Sequence, residues 1–477
     1  MEVFMQVKSP RASHTRAIKK SLLDAFSRTI AGSIILPGGG AYETARLVWN
    51  GMIDRRPAVI VQCGAVSDLI SAVKFARDND LLIAVRGGGH SVSGNAVCDG
   101  GIVIDLSPMK GIRVDKEKKD VYAQAGLTMG EYDRETELHG LASPGGIIST
   151  TGIAGLTLGG GFGWLSRKHG LACDNLLAAD VVTADGRFLT ANAKEHADLF
   201  WGIRGGGGNF GIVTSFQYKL HPVRSVLAGE LIHSFHDVTE TLRFYRDFAG
   251  SVPDELTSVV TLFTAPPAPF LPPAIHGQKA MNIGVCYCGE LALGENILKP
   301  LRAYGNPVID LIVPQAYRSW QCIHDPLAPP GFRRYWKSEY VSELSDELIS
   351  TLATAMQSVP SARSGIHLHH LQGAISRIAD DSTAISHRNA HFAVNVVGEW
   401  SDPYEDEMQI RWTRDVGEAL RRFSIGGAYV NFLGDEGQER VRSAYGEAKF
   451  ARLTALKETY DPTNVFRLNQ NIPPGRR

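Results

Sequence analysis

Three clusters of glycine constrain the fold of this chain more than any other feature, and they lie at 87–89, 159–163 and 205–208. Glycine loses more backbone entropy on folding than any other residue, so a run of glycines weakens a strand or a helix. A chain that accepts this cost needs either a left-handed backbone or the close approach of another group to its backbone. We therefore expect the three loops to hold a long ligand, and a cofactor is the most economical candidate.

The length and the charge balance argue against several classes of protein. The chain has 477 residues, of which 44% are hydrophobic and 21% charged, and its 49 basic and 50 acidic residues leave a net charge of −1. This composition is typical of a globular protein with two or three structural units, and it does not favour nucleic acid or an anionic membrane as a partner. No window reaches the ~18 uninterrupted apolar residues of a membrane-spanning helix, and residues 1–20 lack the apolar core of a secretory signal. We expect a cytoplasmic protein that acts on a small molecule; the sequence carries no signal for its oligomeric state.

The cysteines predict neither a disulfide framework nor a zinc site. Six cysteines are few for a chain of this length, and the single C-x-C pair has no second pair beside it. We therefore expect ordinary thiols and no bound metal at Cys63, Cys98, Cys173, Cys286, Cys288 and Cys322.

Strand and helix patterns divide the chain into two regions. A buried apolar run at 58–66, a helical pattern at 66–80 and a second apolar run that ends at the first glycine cluster predict a β-α-β unit. Further along, an Asp185-Gly186 turn joins two predicted strands. After about residue 223, prolines cluster and strand-like runs alternate with helix-like ones, which predicts an α+β region with a mostly antiparallel sheet.

The glycine loops do not fit a Rossmann dinucleotide site. No helix opens directly after Gly89 with a third glycine in place, and Asp105 is a weak match to the acid that such a site places on the ribose. Exposed backbone N–H groups of glycine-rich loops nevertheless form anion-binding concavities, and these suit a pyrophosphate.

Four long motifs occur in order along the chain: "RGGGHS", "TTGIAGLTLGGGFGWLSRKHGLACDNLLAADVVTADG", "LFWGIRGGGGNFGIVT" and "NVFRLNQNIPP". With these motifs the chain resembles the berberine bridge enzyme-like flavoprotein oxidases of the vanillyl-alcohol-oxidase superfamily, and most of all their bacterial, 6-hydroxy-D-nicotine oxidase-like branch. The resemblance implies an α+β fold, in which a PCMH-type FAD domain of two α/β subdomains carries a substrate domain with a mostly antiparallel sheet covered by helices. We place an amino-terminal extension at 1–29, the FAD domain at 30–222, the substrate domain at 223–424, and a segment returning to the FAD domain at 425–477.

The resemblance implies FAD as the cofactor, bonded covalently to a ring nitrogen of His90. It implies a further set of cofactor-binding residues, within which a structural role for Asp174 and Asn175 in a turn is an equal alternative. The set comprises Arg86, Gly87, Gly88, Gly89, Ser91, Gly94, Ser149, Thr150, Thr151, Gly152, Gly155, Leu156, Gly159, Gly160, Gly161, Gly163, Asp174, Asn175, Gly211, Ile212, Val213, Asn469 and Gln470.

Two positions depart from the family pattern near this site. Many members form a second covalent bond from a cysteine, and the residue at that position is Ile148. We therefore expect a single link, because isoleucine cannot form a thioether. The residue that gates oxygen in relatives is Thr151, which is close to valine in shape and favours O2 as the acceptor.

The acid and base residues of the family are also missing. Leu156, Val92, Val394 and Phe432 occupy the positions at which relatives carry a histidine, a polar group, a glutamate and a tyrosine. Two other residues are candidates for catalysis: His369, which alternation places with His367 on one face of a strand, and Tyr429. A role as ordinary sheet residues is an equal alternative for His369 and the leading one for His367, His370 and His391.

These observations predict an FAD-linked oxidase that removes a hydride from a small alcohol, sugar, amine or benzylic or allylic substrate and passes the electrons to O2, giving hydrogen peroxide. Three alternatives stay open: a dehydrogenase with another acceptor, an oxidative cyclase of secondary metabolism, and a flavin-binding protein without catalysis.

Overall fold

The computed structural model describes residues 4–8, 15–269 and 271–475. Residues 1–3 and 9–14 of the predicted amino-terminal extension, and residues 476 and 477 of the predicted carboxyl-terminal segment, lie outside the described residues. The strands are β1 (Phe4–Lys8), β2 (Thr15–Lys19), β3 (Ser33–Ile35), β4 (Val59–Gln62), β5 (Ile83–Arg86), β6 (Ile102–Asp105), β7 (Ile112–Asp115), β8 (Asp120–Gln124), β9 (Leu141–Ala142), β10 (Leu176–Val182), β11 (Phe188–Asn192), β12 (Ile212–Lys219), β13 (His221–Pro222), β14 (Ser225–Ser234), β15 (Leu256–Thr264), β16 (Lys279–Tyr287), β17 (Ile309–Asp310), β18 (Val313–Ala316), β19 (Arg333–Val341), β20 (Gly365–His370) and β21 (Phe392–Trp400). The α-helices are α1 (Lys20–Ser27), α2 (Tyr42–Ala45), α3 (Val66–Asp78), α4 (Met129–Glu137), α5 (Ile153–Leu158), α6 (Ser166–His169), α7 (Ala197–Ile203), α8 (Val238–Ser251), α9 (Leu291–Ala303), α10 (Tyr317–Gln321), α11 (Asp346–Gln357), α12 (Ala374–Arg377), α13 (Asp406–Arg421), α14 (Gln438–Tyr445) and α15 (Glu447–Tyr460).

The first glycine cluster follows a small, mostly parallel sheet with the order β3-β4-β6-β5. Strands β4 and β5 both pair with β6 in parallel, and β3 pairs with β4 antiparallel. Residues of β4 and β6 are buried on both faces, as the apolar runs of a parallel sheet require. Helix α3 crosses between β4 and β5 and buries Leu69, Ala72, Val73 and Ala76 at helical spacing. This is the predicted β-α-β unit.

A second sheet of the same half is antiparallel, with the order β11-β10-β12-β8-β7. The predicted turn at Asp185-Gly186 joins β10 to β11, and Gly186 takes a φ of +83°, which favours glycine. Helix α4 begins at a capping box of Thr128 and Glu131 and follows β8 in sequence.

The third sheet has eight strands, in the order β17-β14-β16-β15-β20-β21-β19, with β18 paired to β14. All its pairings are antiparallel. One face is covered by α8, α9, α11 and α13, and Leu368 and Val394 point into the core beneath these helices. Because side chains alternate along a strand, His367 and His369 point to the opposite face. The α+β prediction is confirmed.

The hydrophobic core of the first two sheets includes residues of the carboxyl-terminal segment. The largest hydrophobic cluster contains residues from the first two sheets together with Ala428, Leu453, Leu456 and Phe466 of the carboxyl-terminal segment. The eight-stranded sheet has its own core. The predicted domain boundaries remain predictions.

Two smaller features bear on the sequence predictions. The six cysteines are unpaired thiols. Among the described residues, no helix combines the length and the hydropathy needed to cross a membrane.

Candidate functional site

A cavity of about 600 Å³ lies where the glycine loops face the eight-stranded sheet. This volume is in the range of cavities that bind small molecules and cofactors. The three glycine loops and the tail at 466–470 form one side, and residues of β14, β15, β16, β20 and β21 form the other.

The glycines of the loops serve two different purposes. A Cβ on Gly88 would lie 2.3 Å from the backbone nitrogen of Gly152, so these two residues allow the loops at 87–89 and 148–152 to pass backbone against backbone. At Gly155 and Gly208, by contrast, no atom lies within 4 Å of an added Cβ. Both residues line the cavity. They leave open the space that a ligand would fill, so the loops fit a cofactor.

His90 lies at the junction of two loops and borders the cavity. Its Nε2 is 2.9 Å from the hydroxyl of Thr150, and its Nδ1 is 3.5 Å from the hydroxyl of Thr151. Burial, with a smaller effect of the Arg334 charge, lowers the pKa of His90 to about 4. The ring is therefore neutral at neutral pH, and one nitrogen keeps a lone pair.

The side chains of Trp49 and Arg334 form a stack against the His90 ring. The ring of Trp49 lies 4.9 Å from His90 at an angle of 18°, and the guanidinium of Arg334 lies 3.6 Å from the centre of the Trp49 ring. Arg334 is fully buried and donates to Glu399 at 2.7 Å, and Glu399 also accepts from Arg363 at 2.7 Å. The stack joins the loop of His90 to β19 and β21 of the eight-stranded sheet.

Many of the sequence-predicted residues line this cavity together. They are Gly87, Gly88, Gly89, His90, Ser91, Thr151, Gly152, Gly155, Leu156, Gly159, Gly211, Ile212, Val213, His369, Tyr429, Asn469 and Gln470. Thr150 does not line it but bonds to His90.

The remaining predicted residues are not among the lining residues of the cavity. Arg86 is paired with Asp105 at 2.7 Å, and Ser149 donates to Asp325 at 2.8 Å. The group also includes Gly94, Gly160, Gly161 and Gly163. Arg86 and Ser149 thus have partners within the protein, and their contact with a cofactor stays a prediction.

Asp174 and Asn175 belong to the same group and fix a turn. Asp174 forms a buried ion pair with Arg388 at 2.6 Å. Asn175 donates to the backbone carbonyls of His169 and Leu171. These contacts agree with the structural alternative, and the cofactor contact of the two residues stays a prediction.

Tyr429 lies between a glycine loop and the cavity. Its hydroxyl oxygen accepts from the backbone N–H of Gly161 at 2.9 Å and from the side chain of Asn431 at 2.8 Å. Burial raises the pKa of Tyr429 above its ordinary value. The hydroxyl therefore keeps its proton and suits the role of a donor to a bound ligand, not that of a base.

His369 faces the cavity from β20, and both of its ring nitrogens are buried without a hydrogen-bond partner among the described residues. Burial, together with the neighbouring His367 and His324, lowers the pKa of His369 to about 3. Unpartnered polar atoms in a cavity indicate a place for a ligand. A ring that resists protonation this strongly is a weak base, so His369 fits a polar contact better than proton abstraction. His370 points away and lies near Ser258 and Gln372.

The sequence analysis placed His367 on one strand face with His369 but did not identify the polar row on the sheet to which it belongs. Asn282, Thr261, His367 and Asn395 lie directly opposite one another on β16, β15, β20 and β21, and all four line the cavity. Glu230 lies beside this row on β14. Alternation along each strand was visible in the sequence, but the strand order that brings the row together was not.

The carboxyl-terminal tail closes the cavity over the glycine loop at 205–208. The fully buried Lys457 donates to Asp461 and to the backbone carbonyls of Asn209 and Phe466. In the same tail, the side-chain oxygen of Asn469 is buried at the cavity without a partner among the described residues. A bound cofactor with N–H groups would satisfy this oxygen.

The comparisons with known proteins agree with this geometry. Residues 57–192 match the model of an FAD binding domain, and residues 428–473 match the family model described as berberine and berberine like. An uncharacterized FAD-linked oxidoreductase of Bacillus subtilis is 33% identical, over 94% of this chain and 98% of its own length. The (R)-6-hydroxynicotine oxidase of Paenarthrobacter nicotinovorans is 29% identical, over 94% of this chain and 97% of its own.

Solved structures show the same fold. The crystal structure of 6-hydroxy-D-nicotine oxidase from Arthrobacter nicotinovorans superposes with a TM-score of 0.86 at 29% identity, covering 94% of this chain and 98% of that one. The berberine bridge enzyme-like protein 1 of Physcomitrella patens superposes with a TM-score of 0.85 at 26% identity, covering 96% of this chain and all of that one.

Proposed function

Because the chain belongs to the berberine bridge enzyme-like family of FAD-linked oxidoreductases, we propose that it is an oxidase with FAD linked covalently through His90 alone. Its substrate is a small alcohol, sugar, amine or benzylic or allylic compound, and its electron acceptor is O2. FAD, when bound, supplies the acceptor for the hydride that leaves the substrate.

The neutral ring of His90 supports the covalent link. The burial and the Arg334 charge that lower its pKa to about 4 keep a nitrogen lone pair free for bond formation. The contacts with Trp49 and Thr150 fix the ring in one orientation at the cavity. A fixed, neutral imidazole can act as a nucleophile without a preceding loss of a proton.

A single link is supported by the composition of the cavity wall. Ile148 lines the cavity at the position of the second attachment, and no cysteine is among the lining residues of the described chain. The proposal that O2 is the electron acceptor rests on Thr151. This residue lines the same wall, and its size is close to that of valine.

The chain's own residues orient the substrate at the face opposite the glycine loops. His369 and the polar row offer hydrogen bonds, and Phe162 and Phe432 pack against His369 with ring centres at 5.1 and 5.6 Å. The Tyr429 hydroxyl accepts from Gly161 and Asn431, so its proton is available for donation to the substrate. These aromatic walls exclude water from the place where the hydride leaves.

The observation that carries the proposal is the position of His90 and the unpartnered His369 on opposite walls of one cavity. The test is to mix the purified holoenzyme with primary, benzylic and allylic alcohols, sugars and amines without oxygen and to follow the loss of flavin absorbance. Rapid bleaching, followed by recovery with one equivalent of peroxide when air is admitted, is the expected result. Bleaching without reoxidation by air would identify a dehydrogenase, and a flavin that no compound reduces would contradict the enzymatic proposal.

A further inference from the structure

Among the described residues that line the cavity, one carboxylate has a free oxygen. Glu230 on β14 accepts with Oε1 from the Nε2 of His324 at 2.9 Å and from the side-chain nitrogen of Asn282 at 3.1 Å. Its Oε2 has no hydrogen-bond partner among the described residues. The Glu230 side chain keeps 15% of its surface exposed, and the residue lines the cavity.

The other titratable groups described at the cavity offer no free carboxylate oxygen. Both oxygens of Glu399 are occupied by Arg334 and Arg363. Burial and neighbouring histidines lower the pKa values of His367 and His369 to about 4 and about 3. Tyr429 keeps its proton because burial raises its pKa.

The partner of Glu230 is itself held in place. The ring of His324 lies near Trp164 and Trp320, with ring centres at 6.0 and 5.7 Å. Because Oε1 of Glu230 can only accept, Nε2 of His324 must be the donor. Nδ1 of His324 is buried without a partner, and an N–H there would lack an acceptor, so the ring is in the Nε2–H form.

The residue that follows His324 contacts the loop that carries Thr150 and Thr151, the hydrogen-bond partners of His90. Asp325, next to His324, accepts from the backbone N–H and from the hydroxyl of Ser149. Thr150 and Thr151 follow directly and lie at the two ring nitrogens of His90. The carboxylate is thus fixed relative to the cofactor side of the cavity and not only to the sheet.

We propose that Glu230 is the catalytic base of this enzyme: its Oε2 takes the proton of a substrate hydroxyl, and His324 and Asn282 are positioning residues that hold Oε1. The O–H bond breaks and its proton bonds to Oε2, the carbon–oxygen bond becomes double, and the hydride leaves the carbinol carbon for the flavin. This inference rests on the proposed function, which supplies the electron acceptor. It narrows the substrate to a compound with a hydroxyl on the reacting carbon.

The first experiment compares rates of anaerobic flavin reduction by an alcohol that bleaches the wild type. Glu230→Gln keeps the shape of the side chain and part of the hydrogen bonding that Oε1 makes with Asn282 and His324. It removes the carboxylate that would act as the base. A general base contributes roughly 10²- to 10⁴-fold, so we expect the limiting rate of reduction to fall by that factor with a small change in the apparent Kd. His324→Gln should lower the rate by roughly 10- to 100-fold through loss of orientation. Glu255→Gln, a carboxylate outside the cavity lining, is the matched control.

Chemical rescue separates a base from a structural residue. Glu230→Ala leaves a space beside His324 and Asn282, and added formate should restore reduction in this variant but not in Glu230→Gln, where the amide fills the space. Both variants must retain the wild-type flavin content. Weaker substrate binding in Glu230→Gln with an unchanged limiting rate would overturn the proposal and would assign Glu230 to holding a cationic group.

The second experiment needs no turnover. In holoenzyme with ¹⁵N-labelled histidine, the resonance that disappears in His324→Gln should report the Nε2–H form, and Glu230→Gln should change its chemical shift. A His324 resonance in the Nδ1–H form, or one insensitive to Glu230→Gln, would contradict the pair. If no alcohol or sugar bleaches the wild type but an amine does, the proposed function stands and the role of Glu230 as the base for a hydroxyl is overturned. If no compound bleaches the wild type while the resonance behaves as expected, the proposed function has failed and with it the role of Glu230 as a base, although the pair itself exists.

Discussion

At the scale of the residue, the structure shows how a buried charge is shared between two arginines. Arg334 and Arg363 both donate to Glu399, but the Arg334 side chain is 0% exposed and that of Arg363 is 38% exposed. Arg334 also donates to the backbone carbonyls of Trp49 and Pro329 and lies over the Trp49 ring. The two arginines therefore form a matched pair for measuring the effect of burial.

We expect Arg334→Gln to lower the free energy of unfolding by about 3–5 kcal/mol, because it removes one partner of a buried ion pair. Arg363→Gln should cost about 1 kcal/mol or less, since exposed pairs are screened by water. Urea unfolding followed by circular dichroism measures both. Equal losses in the two variants would show that burial is not what separates them.

A second buried charge, the ammonium group of Lys457, connects the carboxyl-terminal tail to Asn209 at the cavity. Lys457→Met removes the donor to Asn209, Phe466 and Asp461 and leaves the buried Asp461 without its cation. The expected loss of unfolding free energy is about 3–5 kcal/mol, with weaker retention of flavin. Lys299→Met on α9, a lysine that is exposed, is the control. A Lys457→Met protein with wild-type stability would contradict the importance of this contact.

At the scale of the element, the glycine loops combine a packing role with a binding role. Gly88 and Gly152 lie where two loops touch, whereas Gly155 lies in α5 and faces open space. The sequence showed only that glycines cluster, and one reason, the approach of a cofactor, was inferred for all of them. The contact between the two loops depends on their positions in space and could not be derived from the motif.

Two alanine variants separate these roles. Gly88→Ala places a Cβ at 2.3 Å from a backbone nitrogen, so we expect poorly folded protein even before flavin is considered. Gly155→Ala should leave the apoprotein as stable as the wild type or up to ~1 kcal/mol more stable, because alanine favours the helix, while its methyl group weakens FAD binding. Thermal unfolding of the apoprotein and flavin content of the holoprotein are the measurements. An unstable Gly155→Ala apoprotein, or normal flavin loading in it, would contradict the assignment.

The eight-stranded sheet shows what alternation can and cannot predict. The pattern of "HLHHLQG" correctly placed His367 and His369 on one face and Leu368 on the other. It did not predict the pair of Glu230 and His324, because His324 comes from a segment more than ninety residues away. Nor did it predict Asn282 beside Glu230, which depends on the pairing of β14 with β16. Alternation describes the two faces of one strand. The site is formed by residues of several strands, and the order of these strands in the sheet brings the residues together.

At the scale of the whole molecule, the motifs of the sequence predicted an α+β fold. The three sheets and the packing of the carboxyl-terminal segment agree with that prediction. Several buried and half-buried histidines make the stability of this fold sensitive to acid. Burial, with neighbouring positive charges, lowers the pKa of His169 to about 3, of His221 to about 4 and of His370 to about 3. An unfolded chain protonates histidine near pH 6.5.

We therefore expect full stability above about pH 6.5 and a progressive loss as the pH falls toward 4, because the unfolded state binds protons that the folded state excludes. Each such histidine contributes at most about 1.4 kcal/mol per pH unit to the slope. His169→Gln should reduce the slope relative to the wild type in urea unfolding between pH 7 and 4.5. A wild-type stability that does not change over this range, or an equal slope in His169→Gln, would contradict the prediction.

The central claim is that FAD is bonded to His90 and to no other residue, and the mass of the flavin-bearing peptide tests it most directly. The protein is denatured in acid, separated from free flavin, digested and weighed, with His90→Ala as the control. The account predicts yellow colour that stays with the polypeptide, a gain of one FAD on the peptide that contains His90, and release of the flavin from His90→Ala. Yellow colour in the supernatant of the wild type, or a flavin on any other peptide, would contradict it.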